Sequence, residues 1–451
     1  MTLDRGRLAT LLAEEERRFR ETHPKSLALA ERATRSLLGG VPMHWMVRWA
    51  GGFPLFAASA AGAYLTDVDG HRYLDLCLGD TGAMTGHAPA ATVEAVRAQA
   101  GRGFTFMLPT EDAVWVGEEL SRRFGLPYWQ FALTATDANR FAIRLAREVT
   151  GRPKILVFNW CYHGTVDETF VVLRDGRALA RDGNVGPPVD PALTTRVVEF
   201  NDLPALEAAL AHGDVACVLA EPALTNVGIV HPEPGFHAAL RELTRRAGTL
   251  LVIDETHTIC AGPGGYTGAH GLDPDVLTLG KPVGGGVPAA VYGFSAAVAE
   301  RVRARSRLDT ADTGGIGGTL AANPLASAAM RATLEHVLTE ASYRRTIPLA
   351  ERFAAGVESV IAEQGLPWIV KQLGCRAEYW FRPTPPRNGG EAVAAVDPEL
   401  ERYMHLAALN RGILLTPFHN MALLAPAVTE GDVDRHTEVF RDSVRAGRLY
   451  R

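Results

Sequence analysis

Two short apolar runs, each followed by a reactive polar residue, constrain the fold of this chain more than any other feature. Leu250–Ile253 precedes Asp254, and Val276–Leu279 precedes Gly280 and Lys281. Short apolar runs that end in polar or glycine residues are typical of the buried parallel strands of an α/β sheet. Ligands of such sheets bind at the carboxyl ends of the strands. We therefore predict that Asp254 and Lys281 face one crevice from neighbouring strands.

A carboxylate paired with a lysine is the combination that pyridoxal phosphate chemistry requires. The lysine forms a Schiff base with the cofactor aldehyde, and the acid keeps the pyridine nitrogen protonated. The chain has four lysines, and Lys281 is the one followed by a glycine run, Gly284–Gly286, which lets the backbone approach a ligand closely. The alternative is that Asp254 caps a strand and Lys281 is a surface charge in a turn.

The sequence around this pair resembles a known family. The segments VIDETHT and DVLTLGKPVGGGVPAAVYG are similar to the core of the class III aminotransferases, pyridoxal phosphate enzymes of fold type I. The chain most resembles the glutamate-1-semialdehyde aminomutase-like branch, from about Gly39 to Ala446. The resemblance implies an α/β fold, in which a large domain with a mostly parallel central sheet accompanies a smaller α+β domain built from both chain ends.

The length of the chain predicts more than one domain, since 451 residues exceed what one core usually supports. We predict that 1–80 contains N-terminal helices and part of the small domain. Residues 81–341 form the large cofactor-binding domain, and 342–451 complete the small domain.

Composition excludes several classes of function. A net charge of −5 gives no basic field for nucleic acid. The sequence shows neither a signal peptide nor an apolar run of membrane-spanning length. No HExxH or paired CxxC motif predicts a metal site. The cysteines are odd in number and widely spaced, which predicts reduced thiols and a cytoplasmic protein; they are Cys77, Cys161, Cys217, Cys260 and Cys375.

A strand, a small-residue turn and a helix predict the phosphate site. Trp129–Leu133 reads as a strand, and the helix that follows opens near Thr136, so its N-terminal N–H groups can bind an anion. By resemblance to the family's Ser-Gly-Thr-Glu-Ala segment, Ala135 and Thr136 hold the cofactor phosphate. The chain departs from that segment at Thr134 and at Ala135. The alternative is an ordinary capped helix.

The resemblance assigns further residues to the cofactor. Tyr162 is expected to stack on the ring, with Trp160 where the family usually has glycine. Thr256 is expected to pack against the ring where valine is usual. His257 replaces the family's usual Gln or Met and is expected to donate a hydrogen bond to the phenolic oxygen, without being an acid–base catalyst. A core histidine paired with a neighbour is the alternative. Asn226 is also placed at the cofactor, and because ornithine-type members have glutamate there, it argues against an ornithine-like gate.

The substrate-binding residues are expected to be Trp45, Arg48 and His163. Trp45 lies in the apolar segment MHWMVRW, which predicts either a roomy substrate pocket or a hydrophobic plug of the small domain. Arg48 is expected to bind a substrate carboxylate bidentately. The family often has a carboxylate-binding arginine near the last strands, whereas 412–433 contains none and has His419 and Asn420 instead.

A homodimer is implied by the segment Gly314–Pro324. In the family its glycine and threonine reach the phosphate of the partner subunit, so Thr319 is expected to complete the partner's site.

These features predict a cytoplasmic aminotransferase. An amino group would move from an amine or amino acid donor, aromatic, bulky or of the β-amino type, to a keto acid through a Schiff base on Lys281. The nearest alternative is a 1,2-aminomutase, racemase or decarboxylase on the same fold. Two more distant hypotheses are a protein that keeps the fold without turnover and a nucleotide-binding α/β enzyme.

Overall fold

The structure is a computed structural model that describes residues 3–305, 315–447 and 449–450. Its helices are α1 (Arg5–Thr22), α2 (Pro24–Ala33), α3 (Ala90–Ala100), α4 (Glu111–Phe124), α5 (Ala135–Thr150), α6 (Leu203–Leu210), α7 (Phe236–Ala247), α8 (Gly265–His270), α9 (Ala296–Arg305), α10 (Pro324–His336), α11 (Glu340–Gln364), α12 (Gly389–Ala394), α13 (Pro398–Leu409) and α14 (Glu430–Gly447). Its strands are β1 (Ala57–Ala61), β2 (Tyr64–Asp67), β3 (Arg72–Asp75), β4 (Tyr128–Ala132), β5 (Lys154–Phe158), β6 (Val171–Arg174), β7 (Arg177–Ala180), β8 (Thr195–Val198), β9 (Val215–Ala220), β10 (Leu250–Asp254), β11 (Val276–Leu279), β12 (Ala290–Phe294), β13 (Ile369–Leu373), β14 (Arg376–Trp380), β15 (Ile413–Leu414) and β16 (Met421–Leu423).

The chain forms two compact units that alternate along the sequence. The first unit comprises Met1–Pro89, Arg344–Pro385 and Ala395–Arg451, and the second comprises Ala90–Tyr343 and Pro386–Ala394.

The segment Pro386–Ala394 corrects the predicted domain limits, which assigned all of 342–451 to the small domain. In the structure this segment belongs to the second unit. Arg387 forms an ion pair with Glu233, and its carbonyl accepts a hydrogen bond of 2.8 Å from Asn201. The backbone N–H of Gly390 donates to Glu199 at 3.3 Å. These partners lie more than 150 residues away, so no local pattern reveals the contact.

A seven-stranded sheet forms the centre of the second unit, in the order β4-β12-β11-β10-β9-β5-β8. Only β12 runs antiparallel to its neighbours, so the mostly parallel sheet that we predicted is confirmed. Strands β9, β10 and β11 are buried along their whole length, as their uninterrupted apolar sequences predict. β10 and β11 lie side by side, with Asp254 opposite Thr278.

Helix α5 packs an apolar face against this sheet. Phe141, Leu145 and Val149 are buried at helical spacing. The helix begins where the side chain of Thr134 accepts a hydrogen bond from the N–H of Asp137, and it ends at Gly151, whose φ is +68°. These caps fix both ends of α5, and its first turn lies near the end of β11.

The first unit contains two smaller sheets, β1-β2-β3-β15 and β13-β14-β16. Helix α1 ends at Thr22 and α2 begins at Pro24, because proline cannot continue a helix but fits its first position. Asp69 in the β2–β3 turn accepts hydrogen bonds from the N–H groups of Lys25 and Ser26 and so satisfies the first turn of α2.

Within the described residues, no helix combines the length and the apolar character that crossing a membrane requires.

Candidate active site

Asp254 and Lys281 follow the carboxyl ends of two adjacent parallel strands, as we predicted. Asp254 is the last residue of β10, and Lys281 follows β11 after Gly280. Lys281 has a φ of +43°, which is unusual for a residue with a Cβ. Strained backbone of this kind concentrates at functional sites, so the conformation supports a special role for Lys281.

The Asp254 carboxylate is buried in a dense set of donors. His163 Nδ1 lies 2.8 Å from Oδ2, Asn139 Nδ2 donates to the same oxygen at 2.8 Å, and the N–H of Thr256 donates to Oδ1 at 3.0 Å. Burial alone would raise the pKa of Asp254, but the bonds from His163, Thr256 and Asn139 outweigh it and lower this pKa to about 2. Asp254 therefore keeps the negative charge that a protonated pyridine nitrogen needs.

His163 contacts Asp254, and its predicted contact with substrate stays a prediction. The residue is 1% exposed, and its ring is committed to the Asp254 carboxylate. Burial alone would lower the pKa of His163, but the neighbouring Cys161 and the Asp254 carboxylate raise it. We therefore propose that His163 orients Asp254 and helps to hold its carboxylate in the charged form.

Asn139 is a site residue that the sequence reasoning missed. Its side chain is fully buried on α5, donates to Asp254 and to the carbonyl of His163 (3.2 Å), and accepts a hydrogen bond of 2.7 Å from the Thr278 hydroxyl. One amide thus joins α5, β10, β11 and the turn that contains His163. A signal was present, since Asn139 is a polar residue within the apolar face of an amphipathic helix, and buried polar groups need partners.

His257 contacts Lys281 directly. Its Nε2 lies 2.7 Å from the Lys281 Nζ, and both side chains are half-buried. The predicted hydrogen bond from His257 to the cofactor phenolic oxygen stays a prediction, and the structure adds the lysine as a partner.

The N-terminus of α5, the end of β11 and the Tyr162–Gly164 turn converge closely. A Cβ added at Gly280 would lie 2.9 Å from the Cβ and 3.0 Å from the N of Ala135. A Cβ added at Gly164 would clash with Thr136, whose hydroxyl accepts a hydrogen bond of 3.0 Å from the N–H of Thr165. The two glycines therefore keep the backbone around the helix N-terminus free of side-chain bulk.

This arrangement fits pyridoxal phosphate. The first N–H groups of a helix have no partner within the helix and attract phosphate, and Ala135 and Thr136 begin α5. Gly280 connects this anion site to Lys281, whose amine would bind the aldehyde, while Asp254 offers a fixed negative charge. We propose Lys281, Asp254, Ala135 and Thr136 as the residues that hold the cofactor.

The turn before Tyr162 contacts Asn226, another residue that we predicted at the cofactor. Trp160, which stands where the family usually has glycine, has a φ of +63°. Its carbonyl accepts a hydrogen bond of 3.0 Å from Asn226, so we propose that Asn226 supports this turn. Tyr162 is half-buried and meets Phe170 edge to face at 6.3 Å. Its predicted stacking on the ring and the predicted ring contact of Thr256 stay predictions.

Thr319 is exposed, and its predicted role across a dimer interface stays a prediction. Gly314, the first residue of the segment on which that prediction rests, lies outside the described residues.

The predicted substrate residues Trp45 and Arg48 belong to the first unit. Both lie in a short helical turn beside Phe418, with a ring distance of 5.9 Å for Trp45 and a guanidinium 5.6 Å from the ring for Arg48. Trp45 is 40% exposed, so it does not form the buried plug that was the alternative. Their contact with substrate stays a prediction.

Arg376 was not considered from the sequence. No arginine lies in 412–433, but β14 pairs with β16 and brings Arg376 opposite Leu423. Arg376 is 1% exposed and donates to the Thr81 hydroxyl at 2.5 Å. A buried guanidinium is therefore present beside the segment where the resemblance led us to expect one.

Metal binding has one candidate group among the residues described. Ligand atoms of His23, Asp67 and His71 lie within 4.8 Å of one another. Asp67 accepts a hydrogen bond from Tyr73 at 2.9 Å and lies 3.1 Å from the ring of His71, and these contacts account for the proximity of the three residues. The prediction that the protein has no metal site stays a prediction.

Comparisons with known proteins agree with the resemblance. The family model for class III aminotransferases matches residues 46–443. Glutamate-1-semialdehyde 2,1-aminomutase from Sorangium cellulosum (strain So ce56) is 38% identical over 434 residues, which are 94% of this chain and 97% of that protein.

Solved structures give the same result. The crystal structure of a glutamate-1-semialdehyde-aminomutase from Pseudomonas aeruginosa PAO1 is 53% identical, with a TM-score of 0.97 over 99% of this chain and all of that one. A variant of that protein has been solved in complex with PMP. An omega-transaminase from Sphaerobacter thermophilus is 30% identical, with a TM-score of 0.85 over 94% of this chain and 98% of that one. This chain belongs to the class III aminotransferase family of fold type I, and it is a pyridoxal 5′-phosphate enzyme.

Proposed function

We propose that this enzyme is a 1,2-aminomutase that moves an amino group between neighbouring carbons of glutamate-1-semialdehyde. The observation that carries the proposal is the 53% identity to the Pseudomonas aeruginosa aminomutase over essentially the whole length of both chains. Asn226 adds support, because it stands where the aminomutase-like branch also has asparagine and where ornithine-type members have glutamate. The aminomutase hypothesis therefore takes precedence over the aminotransferase hypothesis, in which the amino group passes to a separate keto acid.

The residues of the site divide the chemical work. When bound, the cofactor supplies a carbonyl that condenses with amines and a pyridinium ring that accepts an electron pair from the substrate carbon. Asp254, held by His163 and Asn139, keeps the proton on the ring nitrogen. A freed lysine amine beside the reacting carbons is a suitable base. The Nζ of Lys281 would therefore take a proton from one reacting carbon and return it to another.

An external aminotransferase is the second candidate function. Trp45 and Met46 have exposed apolar side chains, and Trp45 lies beside Phe418, which supports a substrate with an aromatic or bulky group. The 30% identity to an omega-transaminase is consistent with an aminotransferase reaction. Arg48 would then bind the carboxylate of an amino acid donor or of the keto acid acceptor.

The decisive experiment supplies glutamate-1-semialdehyde as the only substrate. The purified enzyme with pyridoxal phosphate is expected to form 5-amino-4-oxopentanoate, followed by NMR, without any keto acid. Lys281→Ala should bind cofactor and give no product. The proposal is refuted if no product forms while an aromatic or β-amino donor yields a keto product when pyruvate is added, which is the result that the second candidate requires.

A homodimer and a cytoplasmic location complete the proposal. All five cysteines are free and buried, which is consistent with a reducing compartment. Light scattering on the holoenzyme should give twice the mass of 48.5 kDa. Thr319→Ala should preserve that mass and weaken cofactor binding, if its hydroxyl reaches the partner's phosphate.

A further inference from the structure

We infer that His257 is an acid–base partner of Lys281, and that it takes up and returns the proton that the lysine amine must lose to become a nucleophile. The inference rests on the proposed role of Lys281 as the cofactor-bearing residue. It replaces our prediction that His257 is not an acid–base catalyst, because it assigns His257 a direct role at the reacting nitrogen.

The first argument is the distance of 2.7 Å between the Lys281 Nζ and the His257 Nε2. A hydrogen bond between two nitrogens needs a proton on one nitrogen and a lone pair on the other. An ammonium and an imidazolium at this distance would repel each other. This hydrogen bond carries one proton, and transfer of that proton to the His257 Nε2 leaves a neutral lysine amine.

The second argument is that the backbone fixes both partners. His257 precedes the short helical turn Thr258–Ala261, in which the N–H of Ile259 donates to the Glu255 carbonyl at 2.9 Å. The buried Glu255 carboxylate accepts hydrogen bonds from the Thr258 hydroxyl at 2.6 Å and from the N–H of Thr267 at 2.5 Å. On the other side, Lys281 has a fixed left-handed backbone and precedes Pro282. Rigid support on both sides is what a proton transfer of this kind requires.

The third argument is that the nearby carboxylates are engaged elsewhere. Asp254 accepts from His163, Asn139 and the N–H of Thr256, and Glu255 accepts from Thr258, Tyr266 and Thr267. His257 differs from these two carboxylates, because its Nε2 lies within hydrogen-bond distance of the Lys281 Nζ.

The proton transfer is balanced without any further reactant. One N–H bond of the Lys281 ammonium breaks, and one N–H bond forms at the His257 Nε2. The lysine keeps the electron pair of the broken bond and can use it to attack a carbonyl carbon. When the lysine is released again, the proton returns along the same hydrogen bond. No oxidation or reduction takes place.

Competitive acetylation of the full-length chain, freed of cofactor, tests this inference. The chain has four lysines, so Lys25, Lys154 and Lys371 serve as internal standards for Lys281 in one mass spectrum. A trace of acetic anhydride at pH 7.5 should label Lys281 faster than the exposed Lys25. In His257→Gln the labelling of Lys281 should fall at least about tenfold, because glutamine does not take the proton of the attacking amine, and the other three lysines should not change.

Glutamine is the informative replacement because it accepts a hydrogen bond from an ammonium but does not take its proton. Labelling of Lys281 at the wild-type rate in His257→Gln would overturn the inference and leave only a positioning role. Changed labelling of Lys154, which lies in β5 and is paired with Asp214 at 3.4 Å, would report a folding defect. In that case the wild-type protein decides, because equal labelling rates of Lys281 and Lys25 overturn the inference.

A separate measurement isolates the proposed role of Lys281. Borohydride reduction of the holoenzyme should fix the cofactor on the peptide that contains Lys281. Attachment to another lysine would refute the role of Lys281, whatever the acetylation shows.

Discussion

Replacing Asn139 with alanine tests how far the buried amide organises the site. The change removes a hydrogen bond to the charged Asp254 and leaves the His163 carbonyl and the Thr278 hydroxyl each without this partner. The position is fully buried, so solvent does not replace the lost bonds. We expect a loss of about 4 kcal/mol in the free energy of unfolding, from about 1.5–2 for the charged bond and about 1 for each neutral group.

Asn201→Ala is the matched control. The Asn201 side chain is also buried, donates to the carbonyls of His231 (3.0 Å) and Arg387 (2.8 Å), and accepts from the N–H of Glu233 at 2.8 Å. Its φ of +67° adds about 1 kcal/mol for alanine in the left-handed region. Both variants should therefore lose similar stability in urea titrations, although only Asn139 touches Asp254.

Cofactor affinity separates the two variants. Asn139→Ala should bind pyridoxal phosphate about tenfold more weakly, which corresponds to about 1.4 kcal/mol, because the Asp254 carboxylate loses one of its donors. Asn201→Ala should bind it as the wild type does. Absorbance titrations of the cofactor measure both. Wild-type affinity in Asn139→Ala, or an equal loss in Asn201→Ala, would refute the reasoning.

Two further predictions concern stability with pH and the crowding of the helix N-terminus. Burial lowers the pKa of His237 and of His405 to about 4, below the usual 6.5, so the unfolded chain binds more protons in this range. The contribution of each histidine to the free energy of unfolding is complete above pH 6.5 and is lost as the pH falls towards 4, by up to about 3 kcal/mol each. A free energy of unfolding in urea that stays constant from pH 7 to 4.5 would contradict this expectation. Gly280→Ala should reduce cofactor affinity at least tenfold because its Cβ meets the first residue of α5. Gly117→Ala, in a helix with open space around it, should leave affinity unchanged, and equal affinities in the two variants would show that close approach at Gly280 is unimportant.

The sequence predicted the strands and the residues at their ends because these depend on local pattern. An apolar run of four or five residues followed by Asp254 or by Gly280 and Lys281 indicates a buried strand and its end. The central sheet followed in the same way.

Contacts between distant parts of the chain were not predictable from pattern. Asn139 and Asp254 are 115 residues apart, and periodicity indicates only that Asn139 faces inward, without naming the residue opposite. His163 and Asp254 are 91 residues apart, and local pattern likewise gives no indication that they are in contact. Arg376 lies outside 412–433 in the sequence, and only the pairing of β14 with β16 brings it beside that segment. Local pattern therefore gave no indication of it.

The alternation of the two units along the chain has a consequence for synthesis on the ribosome. β3 pairs with β15, and Leu3 pairs with Tyr450, so the first unit needs both the earliest and the last residues to be made. Most of the second unit, Ala90–Tyr343, is continuous and emerges while the N-terminal 89 residues still lack their partners. Domains generally fold as units during synthesis, and pairings between distant residues form slowly. The second unit should therefore become resistant to protease in ribosome-bound chains before the first unit does.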